Sequence, residues 1–151
     1  MADTTFRHEA PWVITTARIP YGHIDKMDHM YYGNYLLYFE MARNEWMRAG
    51  GLTYKDFETY GFMVPVVEAH VHYKGRVRYD DLIEIRAAVK PEGRTRIRFV
   101  YEIRRQGEAE ILTTGSSVHV VTDLDGRPQR MPQQLRDLLD SIGVLEDSVN
   151  E

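Results

Sequence analysis

The sequence contains no cysteine among its 151 residues. This absence excludes disulfides, thiolate nucleophiles, cysteine-based zinc sites and iron–sulfur clusters, so any chemistry must use other side chains. No apolar run approaches the roughly 20 residues that a membrane-spanning helix needs. Residues 1–9 are polar and carry no apolar signal core, so we expect a cytoplasmic protein with no membrane partner.

Positive charge is also in short supply. The 19 Lys and Arg residues face 23 Asp and Glu residues, which gives a formal net charge of -4. That balance provides no global attraction to nucleic acid, and we expect no nucleic-acid partner. Phosphate-loop and dinucleotide-binding glycine motifs are missing, and the segment from Gly115 to His119 lacks the second glycine of a nucleophile elbow.

The residues that are present suit one globular domain. Hydrophobic residues make up 43% and charged residues 28% of the chain, which is close to the usual balance for folded proteins. The length suits a single core. We therefore predict one domain over residues 1–151.

The clearest local pattern is a helix over residues 35–49, which Gly33 and Asn34 precede and Gly50 and Gly51 end. Its polar residues recur at spacings of three and four, so they share one stripe. Apolar side chains cover most of the remaining circumference, and we expect other elements to surround this helix. The polar stripe consists of Glu40, Arg43, Asn44 and Arg48.

Most of the remaining chain is typical of strands. Residues Ile97, Phe99, Tyr101 and Ile103 alternate with polar residues, which indicates a sheet with one solvated face. Short turns between the runs favour antiparallel pairing. We predict strands over residues 12–19, 62–73, 82–90, 95–105 and 110–122, and shorter helices over residues 53–60 and 132–142. The result is an α+β domain whose sheet must curl around the long helix.

The order of these elements and the loop before the helix resemble a known family. The segment Asp25-Lys26-Met27-Asp28-His29-Met30-Tyr31-Tyr32-Gly33-Asn34-Tyr35, followed by Phe39-Glu40-Met41-Ala42-Arg43, is similar to the hotdog-fold thioesterases of the 4-hydroxybenzoyl-CoA thioesterase/YbgC type. The resemblance extends through Tyr73, Asp80-Asp81 and Gly126-Arg127-Pro128, over about residues 12–132. It implies a hotdog fold, in which an antiparallel sheet wraps around a long central helix.

The resemblance also implies a catalytic site. The family's loop carboxylate falls on Asp25, which would attack the thioester carbonyl or activate water as a general base. The family polarises the carbonyl with a backbone N–H at the start of the helix, and that position is Tyr32. A helix start offers unpaired N–H groups to a developing oxyanion. We take the neighbouring His29, Gly33, Asn34 and Tyr35 as candidate substrate-binding residues.

Other carboxylates and histidines leave alternatives open. Asp28 stands where many relatives carry glycine, and it either raises the pKa of Asp25 by like-charge repulsion or forms part of a turn, which we favour. Glu40 is a rival catalytic carboxylate, although pairing with Arg43 or Asn44 would make it structural. His23 and His29, with the two aspartates, could bind a metal. We expect neither a metal nor a cofactor.

Basic residues alternate in two trios, Lys74, Arg76 and Arg78, and Arg94, Arg96 and Arg98. Each trio either holds the phosphates of a CoA substrate or lies on a solvated sheet face.

From this resemblance we predict an acyl-CoA thioesterase. The resemblance also implies a homodimer or a homotetramer with active sites at the subunit boundary. The alternatives are an acyl-ACP thioesterase and a non-catalytic acyl-binding or assembly module.

Overall fold

The computed structural model describes residues 6–146. Six strands form one sheet in the order β1-β2-β5-β6-β7-β4, and every neighbouring pair is antiparallel. These strands are β1 (Phe6–Glu9), β2 (Trp12–Arg18), β4 (Val66–Tyr73), β5 (Leu82–Glu92), β6 (Arg96–Arg105) and β7 (Thr113–Val120). A separate pair joins β3 (Phe62–Met63) to β8 (Thr122–Asp123).

The long helix α1 (Tyr35–Ala49) packs against this sheet, as predicted. Phe39 stacks on Tyr101 of β6 with ring centroids 4.4 Å apart, and Trp46 meets Phe99 edge to face at 5.2 Å. The inward residues of β6 are buried, in agreement with the alternation in the sequence. The predicted α+β fold, a sheet with a long central helix, is confirmed.

Two shorter helices complete the fold. Helix α2 (Tyr54–Thr59) begins with a capping box between Thr53 and Asp56, and α3 (Gln133–Ile142) buries four aliphatic side chains. Gly50 allows α3 to approach the end of α1, because a Cβ there would lie 1.8 Å from a methyl group of Leu138. The glycine therefore provides space for α3 as well as a stop for α1.

The structure corrects the sequence prediction in four places. The run over residues 110–122 begins as a strand only at Thr113 and divides into β7 and β8 at Val121. The run over residues 62–73 divides into β3 and β4 around Pro65, which has no N–H to donate to a ladder. Strand β1 was not predicted. The expectation that other elements surround α1 is wrong for one face, because Leu36 and Leu37 are each 44% exposed and Met41 is 38% exposed.

Candidate active site

The loop before α1 folds into a short antiparallel ladder. Ile24 and Met30 form an isolated bridge, the Asp25 N–H donates to the His29 carbonyl at 2.9 Å, and the Tyr31 N–H donates to the His23 carbonyl at 2.9 Å. These backbone bonds fix where Asp25 lies relative to the beginning of the helix. The conformation of the loop is therefore held by its own backbone hydrogen bonds.

Asp25 is half-buried in this ladder. Its Oδ1 accepts a hydrogen bond from the Met27 N–H at 2.8 Å. No residue between 6 and 146 donates to its Oδ2 or forms an ion pair with it. One carboxylate oxygen is thus held in place while the other is available to water or substrate.

Asp28 occupies the turn of the ladder with a φ of 56°, in the left-handed region. Glycine adopts this region most readily, and aspartate tolerates it better than most residues. The carboxylate of Asp28 lies 3.7 Å from Arg78 Nε, and both side chains are exposed. The geometry agrees with a turn residue.

The Tyr32 N–H begins the helical segment that leads into α1. Residues Tyr32–Asn34 form a 3-10 turn, and the first N–H groups of such a segment have no partner within it. Within residues 6–146, no oxygen accepts from the Tyr32 N–H, whereas the Tyr32 carbonyl accepts from the Tyr73 hydroxyl at 2.7 Å. Tyr32 can therefore donate to a substrate oxygen.

The polar neighbours of this pair mostly support the loop. The Asn34 side chain donates to the His23 carbonyl at 3.2 Å and does not cap α1, so it shapes the loop rather than the helix start. His29 Nδ1 lies 2.5 Å from the Met30 carbonyl, which can only accept, so Nδ1 carries the proton, and within residues 6–146 Nε2 has no hydrogen-bond partner. A Cβ at Gly33 would lie 3.0 Å from the Tyr31 ring, which leaves little room there.

Tyr35 is fully buried beneath the loop. Its ring meets Tyr73 edge to face with centroids 4.8 Å apart. Burial raises the pKa of Tyr35 to about 12, and the negative charge of nearby Asp25 adds to the increase. The residue thus packs beneath the loop that precedes α1 and stays protonated at neutral pH.

The histidines and aspartates of the loop do not form a metal site in the described part of the chain. No three His, Asp or Glu side chains of residues 6–146 come close enough together to hold an ion. His23 Nδ1 instead lies 2.7 Å from the Tyr38 hydroxyl.

A second polar group, which sequence reasoning missed, lies behind α1. Arg43 donates to Tyr101, whose hydroxyl lies 2.6 Å from Ser117 Oγ, and Ser117 Oγ lies 2.9 Å from His119 Nε2. We call Arg43, Tyr101, Ser117 and His119 the buried polar chain. Because Arg43 is engaged there, the predicted pairing of Glu40 with Arg43 or Asn44 is not formed, and Glu40 is exposed.

Three arginines surround a cavity at the other end of the sheet. Arg94, Arg130 and Arg136 line a volume of about 440 Å³ beside Met131 and Leu139. Strand β5 begins next to the loop that precedes α1 and ends at this cavity. Its 11 residues span roughly 35 Å. The predicted trio of Arg94, Arg96 and Arg98 is divided, because the Arg98 side chain bonds Glu92 and Ser116 instead.

No helix within residues 6–146 has both the length and the apolar character needed to cross a membrane.

The chain is similar to proteins of one known family, both in sequence and in fold. Residues 19–139 match the family model of the Thioesterase-like superfamily. The DHNA-CoA thioesterase from Staphylococcus aureus is 29% identical with a TM-score of 0.78, and the match covers 87% of this chain and 90% of that one.

Two further solved structures share the fold. Slr0204, a 1,4-dihydroxy-2-naphthoyl-CoA thioesterase from Synechocystis, is 17% identical with a TM-score of 0.79, over 85% of this chain and 96% of that one. The 12:0-ACP thioesterase from Umbellularia californica is 15% identical with a TM-score of 0.81, over 94% of this chain and 57% of that one. At these identities the likeness concerns the fold alone.

Proposed function

Because the chain belongs to the Thioesterase-like superfamily and is a thioester hydrolase, we propose that it is an acyl-CoA thioesterase in which Asp25 carries the reaction. One observation supports this role. Within residues 6–146, Oδ2 of Asp25 has no hydrogen-bond donor, and the Tyr32 N–H in the same loop has no acceptor. A carboxylate and a helix-start dipole are sufficient for thioester hydrolysis without a cofactor.

The proposed reaction begins with the thioester carbonyl oxygen accepting a hydrogen bond from the Tyr32 N–H, which stabilises the negative charge that develops there. Asp25 then follows one of two routes. It attacks the carbonyl carbon, and water hydrolyses the resulting anhydride, or it takes a proton from the water that attacks. In both routes the C–S bond breaks, the thiolate of CoA leaves and is protonated, and a free acid remains.

We assign the chain to the 4-hydroxybenzoyl-CoA thioesterase/YbgC type within the superfamily. The support is residue by residue: Asp25 and Tyr32 occupy the positions of the motif, and Tyr32 begins the helical segment as the motif requires. Asp28 departs from the glycine of many relatives, and its left-handed φ of 56° accounts for glycine at that place. We also propose a single domain over residues 1–151, because one family model matches residues 19–139.

We further propose a homodimer as the minimal active unit. Strand β4 is an edge strand of eight residues, nearly all of them exposed, and it includes Val66 and Val67 at 49% and 50% exposure. Beside it lies the exposed apolar face of α1. An uncovered edge next to an apolar face is typical of a subunit interface. Light scattering should give a dimer or a tetramer, and an active monomer would contradict the proposal.

The geometry of such a dimer supports CoA, rather than acyl carrier protein, as the group that carries the acyl chain. A two-fold axis through paired β4 strands brings the arginine cavity of one protomer towards the catalytic loop of the other, since the two lie at opposite ends of the sheet. Arginine suits phosphates because it forms paired, charge-assisted hydrogen bonds. We propose that Arg94 and Arg130, which line the cavity together with Arg136 and one carboxylate, Asp140, hold the CoA phosphates.

The test of the CoA site compares full and truncated substrates. The double variant Arg94→Gln with Arg130→Gln should raise KM for acyl-CoA by about tenfold or more, the value of one to two charged hydrogen bonds. It should leave hydrolysis of the matching S-acyl-pantetheine unchanged, because that substrate lacks the nucleotide. Arg127→Gln on the neighbouring turn is the control. Equal losses on both substrates would refute the assignment.

The test of the activity is a free-thiol release assay with short, medium, long and aromatic acyl-CoAs and with acyl-ACP. The protein contributes no background because it has no cysteine. Release from acyl-CoA supports the proposal. Release from acyl-ACP alone would favour the acyl-ACP thioesterase, and binding without release would favour the non-catalytic module.

A further inference from the structure

A groove runs between α1 and the edge strand β4, starting near the catalytic loop. Its first part has a volume of about 190 Å³ and is lined by Leu36, Phe39, Glu40, Arg43, Val66, Ala69 and Ser117. It continues towards α2 as a volume of about 360 Å³ that shares Glu40, Arg43 and Val66 with the first part. We call these two volumes together the α1–β4 groove. Its walls are largely apolar, and Arg43 is its one basic residue.

Arg43 is half-buried in this groove and has no acidic partner among residues 6–146. Its Nε donates to the Tyr54 hydroxyl at 2.7 Å, and one terminal nitrogen donates to the Tyr101 hydroxyl at 3.2 Å. A guanidinium has five N–H donors, so donors remain for a ligand. A charge removed from water needs a counter-charge or further hydrogen bonds.

The buried polar chain holds this guanidinium in one orientation. Burial lowers the pKa of His119 to about 4, so its ring is neutral near pH 7. His119 Nδ1 lies 2.8 Å from the Val64 carbonyl, which only accepts, so Nε2 accepts from Ser117. Arg43 only donates, at the opposite end. The direction of every bond from Arg43 to Val64 is thereby determined, and Arg43 is fixed as a donor facing the groove.

The contact between Ser117 and His119 resembles a nucleophile with its base, but its chemistry does not suit catalysis. A base with a pKa of about 4 takes a serine proton poorly at neutral pH. In addition, the Tyr101 hydroxyl donates to Ser117 Oγ and occupies one of its two lone pairs, which makes the oxygen a poorer nucleophile. The pair therefore positions Arg43 and does not form a second reactive centre.

The length of α1 sets how far an acyl group must reach. At a rise of about 1.5 Å per residue, the Cα of Phe39 lies roughly 10 Å and that of Arg43 roughly 16 Å along the axis from Tyr32. The Arg43 side chain leans back towards the helix start. A thioester held at the Tyr32 N–H would thus bring the far end of a medium-length acyl chain, about as long as an octanoyl group, to Arg43.

We propose that the α1–β4 groove receives the acyl group and that Arg43 selects chains with a carboxylate at the far end. This inference rests on the proposed thioesterase activity. The apolar walls suit the methylene chain, and the uncompensated guanidinium matches a carboxylate by paired hydrogen bonds. Two carboxylates, Glu40 and Glu58, also line the groove, and within the described residues neither forms an ion pair with Arg43. Arg43 is a specificity-determining residue and takes no part in breaking the thioester.

The experiment compares kcat/KM for suberoyl-CoA, ω-hydroxyoctanoyl-CoA and octanoyl-CoA, which differ only at the far end. The wild-type protein should prefer suberoyl-CoA over octanoyl-CoA by at least about tenfold, the effect of one charge-assisted hydrogen bond. Arg43→Met should abolish the preference, and Arg43→Lys should keep part of it. Arg48→Met removes an exposed arginine of the same helix, paired with Glu45, and should keep all of it.

A purely structural role for Arg43 would lower the rates on all three substrates by the same factor and would overturn the inference, as would a wild-type protein without the preference. If Arg43→Met does not fold, Ser117→Ala is the alternative variant. It removes one hydroxyl from the buried polar chain that orients Arg43, and it should reduce the preference for suberoyl-CoA. If ω-hydroxyoctanoyl-CoA were preferred as strongly as suberoyl-CoA, the proposed selection for a carboxylate would be refuted. Calorimetry with non-hydrolysable thioether analogues gives the same comparison if turnover is absent, which separates this inference from the proposed function.

Discussion

The loop that carries Asp25 and the buried polar chain use polar side chains in opposite ways. In the loop, the bonds to Asp25 come from residues at most four positions away, and one carboxylate oxygen has no donor within residues 6–146. In the buried polar chain, Arg43 and Tyr101 are 58 positions apart, and His119 has a partner on both ring nitrogens. A carboxylate oxygen without a donor is available for chemistry, whereas Ser117 and His119, which are hydrogen-bonded to other residues of the protein, stabilise the fold. Substitutions of Asp25 and of Ser117 should therefore have opposite effects.

The largest expected effect is that of Asp25→Asn on turnover. The change nearly preserves size and removes the charge that a nucleophile or a base needs. Turnover in the thiol-release assay should fall by at least about 10²-fold, the low end of the contribution of a positioned acid–base group. The melting temperature and the affinity for a non-hydrolysable acyl-CoA analogue should change little, because the loop is held by backbone bonds.

Asp28→Asn and Glu40→Gln are the matched controls for this variant. Both carboxylates are exposed, one in the turn of the loop and one at the rim of the groove. Each control should keep turnover within about threefold of wild type, which corresponds to less than about 1 kcal/mol. Collapse of either control alongside an active Asp25→Asn would assign the reaction to the other carboxylate.

Ser117→Ala should act on stability rather than turnover. The variant leaves His119 Nε2 without its donor and the Tyr101 hydroxyl without its acceptor, both in a buried environment. We expect a loss of about 1–3 kcal/mol in the free energy of unfolding, measured by urea denaturation. Ser116→Ala is the control on the same strand, where the hydroxyl accepts from the half-buried Arg98. If Ser116→Ala lost as much free energy of unfolding as Ser117→Ala, the buried polar chain would have no special role in stability.

The pH dependence of stability tests the protonation state of His119. Its pKa is lowered from 6.5 to about 4, so the unfolded state binds more protons between these values, and stability is lost as pH falls through this window. The loss from pH 7 to pH 5 that depends on His119 should be about 2 kcal/mol. His119→Phe should lose less stability over this range than wild type, whereas the exposed His72→Gln should match wild type. Equal slopes in all three proteins would contradict a neutral buried imidazole.

The smallest expected effect concerns the turn of the loop. Asp28→Gly removes the strain of a side chain at a φ of 56°, and stability should rise or fall by no more than about 1 kcal/mol. Asp28→Val should be less stable than Asp28→Gly, since a β-branched residue fits this region poorly. Turnover should persist in the glycine variant. A glycine variant less stable than the valine variant would contradict the turn geometry.

Local sequence patterns were sufficient for much of the fold. The long helix and its glycine stop, the alternation in β6 and the two short helices all depend on neighbouring residues. The separation of β3 from β4 depended on Pro65, whose meaning as a strand break is visible only once β8 supplies a partner for β3. The exposed face of α1 could not be predicted, because apolar periodicity does not tell whether the same chain or another subunit covers it.

The two polar regions also differ in how well the sequence indicates them. The positions of Asp25 and Tyr32 follow from a contiguous motif, although their catalytic roles remain proposals. The buried polar chain joins residues from α1, β6 and β7, and no local pattern connects them. The one usable signal was the spacing of two between Ser117 and His119, which places both on the same face of a strand.

The most direct test of this division of roles measures two quantities in both Asp25→Asn and Ser117→Ala. These are the turnover of octanoyl-CoA and the free energy of unfolding. We expect Asp25→Asn to lose at least about 10²-fold in turnover, with stability within about 1 kcal/mol of wild type. Ser117→Ala should lose about 1–3 kcal/mol of stability and keep turnover within about threefold. Turnover that collapses in Ser117→Ala while Asp25→Asn remains active would contradict the account, because the reaction would then belong to the buried polar chain.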